Sequence, residues 1–200
     1  MTKVGIFGGT FDPVHWGHLI VAEQARVTLE LDKIIFIPTG QPWAKAQFRI
    51  TSRHHRFKMV QAALAGYPHF EISSVEIDRS GNSYTVDTLE ALSNQMDAES
   101  EVFFLLGRDA AESLHVWKEP CRILELCTLV IMCRPGGGES GFPNLKECPN
   151  RMHKIVELSV PLISISGTEI RSKVAQGCPI HYLVPPVIRR YIQNKSLYIP

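Results

Sequence analysis

The chain has 200 residues, a formal net charge of +1, 44% hydrophobic and 20% charged residues. That suits one ordinary soluble domain with a real core, and the near-neutral charge disfavours a nucleic-acid partner, so any anion site must be local. No apolar run approaches the roughly 18 residues that a membrane span needs, and no membrane partner is expected.

Val4-Gly5-Ile6-Phe7 predicts a first strand, ending in the pair Gly8-Gly9. Met1-Thr2-Lys3 leads straight into it, so no signal peptide is expected. The turn Thr10-Phe11-Asp12-Pro13 follows. His15 and His18 then stand where an apolar-periodic helix begins (Leu19, Ile20, Ala22, Ala25, Val27). Lys33–Ile37 is β-branched and continuous, like a strand buried on both faces. Residues 39–51 have no period and carry Lys45 and Arg49, which predicts a basic loop. Ser52 caps a helix with Phe57, Met59, Val60, Ala63 and Leu64.

Phe70–Ile77 alternates in part and predicts a strand, and residues 78–83 a turn. Tyr84–Met96 predicts a helix with Val86, Leu89 and Leu92 inward. Glu101–Leu106 is a further buried strand, ending in Gly107-Arg108-Asp109. A short helix or turn runs to Trp117, and Pro120 opens a helix through Leu126. Thr128–Cys133 is a strand stopped by Arg134-Pro135, and residues 136–153 predict a mobile surface loop. Ile155–Val160 predicts the last strand, and Gly167–Gln176 and Pro186–Gln193 predict helices. The five cysteines (Cys121, Cys127, Cys133, Cys148, Cys178) form no CxxC pair. They predict a reduced cytoplasmic protein rather than a disulfide framework or a zinc ribbon.

Alternating strands and helices predict an α/β fold: a doubly wound parallel sheet with helices on both faces, in a single domain over 1–200. Ligands bind such sheets beyond the carboxyl ends of the strands. The first turn, Gly107-Arg108-Asp109 and Arg134-Pro135 all lie at such ends, which predicts one cleft.

The first turn carries neither GxxxxGK[ST] nor GxGxxG. It is still a strand, a glycine turn and a helix start, where backbone N–H groups meet an anion. His15 and His18 share a helix face and can donate to phosphate oxygens. A packing or capping pair is the alternative. A metal site lacks an obvious third ligand. Ser166 and Thr168 flank Gly167 at a helix start, with Arg171 one turn in, which makes either a phosphate cradle or an ordinary cap. Thr85 in a first helical turn, Trp117 as a stacking surface, Lys45 as a loop cation and Asp109 as a ribose acceptor each have an equally plain structural alternative. No nucleophile stands beside an activating base, so covalent catalysis is unsupported.

Together these pieces resemble the nucleotidylyltransferase superfamily, whose marks are HxGH after a strand and a later ISxTxxR. His15-Trp16-Gly17-His18 matches the first, and Ile165-Ser166-Gly167-Thr168-Glu169-Ile170-Arg171 the second. Within it the chain resembles the bacterial nicotinate mononucleotide adenylyltransferases, through GGTFDPVHWGH, SYTVDTL with the later Trp117, and matches spaced to Tyr191-Ile192. The resemblance implies a Rossmann-like sheet of nucleotidylyltransferase type. It implies transfer of AMP from ATP to nicotinate mononucleotide, with Mg²⁺ held mainly through the ATP phosphates and no metal ligands from the chain. It assigns His15 and His18 to catalysis. It assigns Gly8, Gly9, Thr10, Phe11, Gly107, Asp109, Arg134, Ser166, Thr168 and Arg171 to ATP, and Lys45, Thr85 and Trp117 to the mononucleotide. The loop Gln41-Pro42-Trp43-Ala44-Lys45 lacks the histidine usual in the family, and Arg108 stands where a small residue is common. The oligomeric state stays open between monomer and small homo-oligomer.

Overall fold

Alternate residues of the buried strands enter opposite cores. The computed structural model describes residues 1–42, 50–133 and 148–199. Strands β1 (Lys3–Gly9), β2 (Lys33–Pro38), β3 (Phe70–Ile72), β4 (Glu101–Gly107), β5 (Thr128–Cys133) and β6 (Ile155–Ser159) form one parallel sheet in the order β3-β2-β1-β4-β5-β6. Phe7, Ile34, Phe36, Leu105 and Val130 pack on one face. They meet α1 (Trp16–Thr28), α2 (Arg53–Leu64), α6 (Gly167–Ala175) and α7 (Pro186–Asn194). Val4, Ile6, Ile35, Ile37, Phe104 and Leu129 pack on the other, against α3 (Thr85–Ser93) and α5 (Pro120–Leu126). The four-residue α4 (Arg108–Ala111) follows β4 directly. This is the doubly wound parallel sheet that the alternation of elements predicts.

The chain winds outward from β1 to β3, then returns to lay β4 against the other side of β1. The carboxyl ends of β1 and β4 therefore flank the switch point, where such sheets open a crevice.

Two expectations need correction. The strand expected over Phe70–Ile77 stops at Ile72. Ser73 Oγ accepts from Val75 N (3.3 Å) and Ser74 Oγ donates to Asp78 Oδ2 (2.6 Å). These local side-chain bonds compete with the ladder and turn the chain away. The cysteines are not all reduced: Cys121 in α5 is disulfide-bonded to Cys148, with Cα atoms 5.5 Å apart. Pairing depends on α5 packing against the 3-10 helix Pro149–Lys154, a neighbourhood that spacing does not reveal. Cys127, Cys133 and Cys178 are free thiols, and burial pushes Cys127 up to about 12. Of the surface loop expected over 136–153, residues 149–153 belong to that 3-10 helix and 136–147 lie outside the described residues. No described helix is long and apolar enough to cross a membrane.

Candidate active site

Strand β1 carries Gly8 and Gly9 to the switch point, and the chain turns at Phe11 with φ +49°. A bulky side chain takes that left-handed conformation at a cost of about 1–2 kcal/mol. Burial of the ring offsets the cost: it packs edge-on to Phe7 (5.6 Å between centroids) and against Phe36 (5.7 Å). A Cβ on Gly9 would lie 2.9 Å from this ring, so glycine makes the approach possible. Phe11, expected at the phosphate turn, thus has its side chain in the core, and only its backbone is left to line the turn.

His15 is the N-cap of α1, and its ring stacks on His18 at 3.7 Å between centroids. Gly17 makes room for it, because a Cβ there would lie 3.0 Å from His15 Nδ1. His18 Nδ1 accepts from the His15 backbone N–H (3.2 Å). With Nδ1 accepting that bond, Nε2 is the ring nitrogen left to donate. The Phe11 ring meets His18 edge-on at 4.9 Å and holds it in place. His15 is buried, and its Nδ1 has no hydrogen-bond partner among the described residues.

Burial lowers the His15 pKa to about 4. Between that value and the unfolded value of 6.5, the unfolded chain binds the proton and the folded one does not, so stability rises with pH. His15 therefore contributes stability that is complete above pH ~6.5 and lost as pH falls towards ~4, worth about 3 kcal/mol in all. Urea unfolding at a series of pH values should show this slope in the wild type. A His15→Asn variant that kept the full slope would refute it.

The arm from the far end of the chain reaches the same turn. Ser166 Oγ accepts from Glu169 N (3.1 Å) and caps α6. Gly167 lies on the Asp12 carbonyl, where a Cβ would be 2.8 Å from the oxygen. Arg171 Nη1 donates to that carbonyl (2.6 Å) and Nη2 to Thr168 Oγ1 (3.3 Å). On the other side of the turn is a cleft of about 290 Å³, lined by Gly8, Gly9 and Thr10 together with Thr85, Trp117 and the apolar Ile37, Phe104 and Leu106. Trp117 is oriented by its Nε1–H on Ser113 Oγ (3.2 Å) and by edge contact with Phe104. Thr85 is the first residue of α3, where backbone N–H groups have no partner within the helix. A larger groove of about 520 Å³ lies along α1 and is lined by none of these residues.

Gly107 and Asp109 stand exposed at the end of β4 and in α4. Between them, Arg108 Nη2 donates to Cys133 Sγ (2.8 Å) and to Glu157 (3.2 Å), tying β4 to β5 and β6. Lys45 and Arg134 lie outside the described residues.

One organising residue escaped sequence reasoning. Arg56 is 1% exposed. Its Nε donates to Thr51 O (2.9 Å), Nη1 to Thr10 O (2.7 Å) and Nη2 to Gly40 O (3.0 Å). Burial lowers its pKa, against the upward pull of Asp12, Tyr198 and Glu76. It joins the loops after β1 and β2 to the start of α2. A signal was present: Arg56 falls on the apolar face of Met59, Val60 and Ala63, where a solvated arginine has no place.

Asp12 Oδ1 accepts from the Tyr198 hydroxyl and Oδ2 from Thr51 N, so both carboxylate oxygens are engaged. No group of three or more His, Cys, Asp or Glu suited to a metal occurs among the described residues. Imidazoles, hydroxyls, glycine backbone and a guanidinium suit phosphate oxygens.

A family model described as cytidylyltransferase-like matches residues 6–173. A protein of Thermomicrobium roseum, named a probable nicotinate-nucleotide adenylyltransferase, is 43% identical over 99% of this chain and 92% of its own. One of the same name from Thermoanaerobacter is 39% identical over 98% and 94%. The chain belongs to the nicotinate-nucleotide adenylyltransferase family. The family fold is seen in the Plasmodium falciparum nicotinic acid mononucleotide adenylyltransferase complexed with NaAD, at TM-score 0.78 and 20% identity over 99% of this chain and 98% of that one. In this member of the family, the turn before HxGH and the ISxTxxR segment meet physically, through Arg171 and Gly167 on the Asp12 carbonyl.

Proposed function

We propose that the protein transfers AMP from ATP to nicotinate mononucleotide, giving deamido-NAD and pyrophosphate. A phosphate oxygen of the mononucleotide attacks the α-phosphorus of ATP. The bond from that phosphorus to the bridging oxygen breaks, and pyrophosphate leaves with the electron pair. Such a displacement needs positioning and charge stabilisation rather than a covalent enzyme intermediate. The supporting observation is the cleft that sets Thr85 and Trp117 beside Gly8, Gly9 and Thr10. An aromatic acceptor with a carboxylate fits it: Trp117 offers a face to the pyridine ring, and the start of α3 offers N–H donors to the carboxylate. His15 and His18 donate to the phosphate in transfer, while Ser166, Thr168 and Arg171 hold the triphosphate. Gly107, Asp109 and Arg134 serve the adenosine end, and Lys45 serves the mononucleotide. Mg²⁺ would be held mainly through the ATP phosphates, where it would neutralise charge. The same reading makes the protein a cytoplasmic enzyme of NAD biosynthesis.

Pyrophosphate release from ATP tests this with the acid and the amide mononucleotide side by side. The acid should be favoured in kcat/KM by about 10- to 100-fold, the scale of one or two hydrogen bonds to a charged group. Equal use of both would overturn the carboxylate assignment, and release with neither would overturn the reaction.

A further inference from the structure

The segment after α7 reaches the turn that follows β1. After α7, Leu197 N donates to Ile192 O (3.0 Å), and Ser196 and Tyr198 take left-handed backbone angles, φ +48° and +64°. Non-glycine residues keep such angles only where the surroundings over-determine them. At Tyr198 the surroundings are plain. The ring packs against the core that α1, α2 and α7 share. The hydroxyl donates to Asp12 Oδ1 (2.7 Å), 186 residues away in sequence. Asp12 is itself buried, with Thr51 N on its other carboxylate oxygen (3.1 Å) and Arg171 on its carbonyl (2.6 Å). The tail, the start of α2 and the α6 arm therefore converge on a single residue.

We propose that Tyr198 is a positioning residue of this site: by fixing the Asp12 carboxylate it fixes the Asp12 peptide, and with it the carbonyl on which Arg171 sits. The inference rests on the proposed reaction and extends it. A long arginine side chain loses substantial rotamer freedom when it binds phosphate, and seating it in advance removes that cost from the binding step. Arg171 is seated on two sides, by Asp12 O and Thr168 Oγ1. Without the tyrosine hydroxyl, a buried carboxylate oxygen loses its donor, and the group must turn to recover one. Its peptide cannot turn freely, because Gly167 lies against the same carbonyl with no space between. The displacement therefore passes to the start of α6, which carries Thr168 and, one turn on, Arg171. Burial and the neighbouring Asp12 carboxylate push the phenol pKa up, so the hydroxyl stays a donor through neutral pH.

Tyr198→Phe tests this, since it keeps the ring and removes only the donor. We expect KM for ATP to rise about tenfold, with KM for nicotinate mononucleotide changed less than twofold. A residue that merely packed would leave both alone. In an Arg171→Ala background the same substitution should change KM for ATP less than twofold, because the group it acts through is gone. An unchanged KM for ATP in Tyr198→Phe, an equal rise in both KM values, or effects that multiply in the double variant would each overturn the assignment. Calorimetric ATP binding reads the same coupling without turnover. A wild type that binds ATP but releases no pyrophosphate would thus overturn the reaction and leave the Tyr198 test standing.

Discussion

His18→Ala lowers kcat by roughly 10²–10³, the scale for removing one preorganised donor to a developing negative charge. The expectation comes from how the ring is held. Its Nδ1 is occupied by the His15 N–H, so Nε2–H is the donor it offers. Its plane is fixed by stacking on His15 and by the edge of Phe11. A donor locked in this way needs no reorganisation as charge develops, which is where its advantage over water lies. Single-turnover kinetics with both substrates saturating gives the chemical step directly. Melting should fall by only a few degrees, since the substitution removes one cap bond at the start of α1 and a half-buried ring. If His18→Ala kept kcat within a few-fold of wild type, the histidine would be a packing residue of the helix start. His18→Asn, which retains a donor of shorter reach, should recover part of the rate.

Arg56→Met has its largest effect on stability. The guanidinium is buried, donates to carbonyls from separate loops, and lies near the buried carboxylates of Asp12 and Glu76. Removing one member of a buried charge group costs about 3–5 kcal/mol, because the remaining charges and carbonyls lose their partner in a low-dielectric site. For a chain of this size that lowers the melting temperature by roughly 10 °C or more. Differential scanning calorimetry or a urea titration measures it. Arg56→Lys should lose less than Arg56→Met, since it keeps the charge but cannot reach the carbonyls that the planar fork spans. A Met variant as stable as wild type would mean that the loops hold themselves and that Arg56 is dispensable.

The sheet and its two faces were legible in the sequence because they follow from local periodicity. Ile34–Ile37 and Leu129–Cys133 are apolar on every residue, as strands covered on both sides must be. The spacing of Val86, Leu89 and Leu92 marks a helix stripe without reference to anything distant. The turn after β1 was legible for the same reason: glycines, a helix start and two histidines lie within a dozen residues. Even so, Phe11 shows the limit of a local view. Its neighbours in sequence suggest a turn residue, while its ring belongs to the core beneath His18.

What only the tertiary structure decided depends on contacts between residues far apart in the chain. Helix periodicity puts Arg56 on a buried face, but the carbonyls it serves appear only when the loops after β1 and β2 close over it. Asp12 looks like a turn aspartate until Tyr198 arrives from the other end. Cys121 and Cys148 are ordinary thiols until α5 and a 3-10 helix bring them together. The sequence by itself determined most of the strands and helices and the grouping of glycines, helix start and histidines between Gly8 and His18, because periodicity and turn propensity act over a few residues. It did not determine which side chains hold that turn rigid, because packing partners are chosen by the fold, and no spacing rule reports a bond across 186 residues.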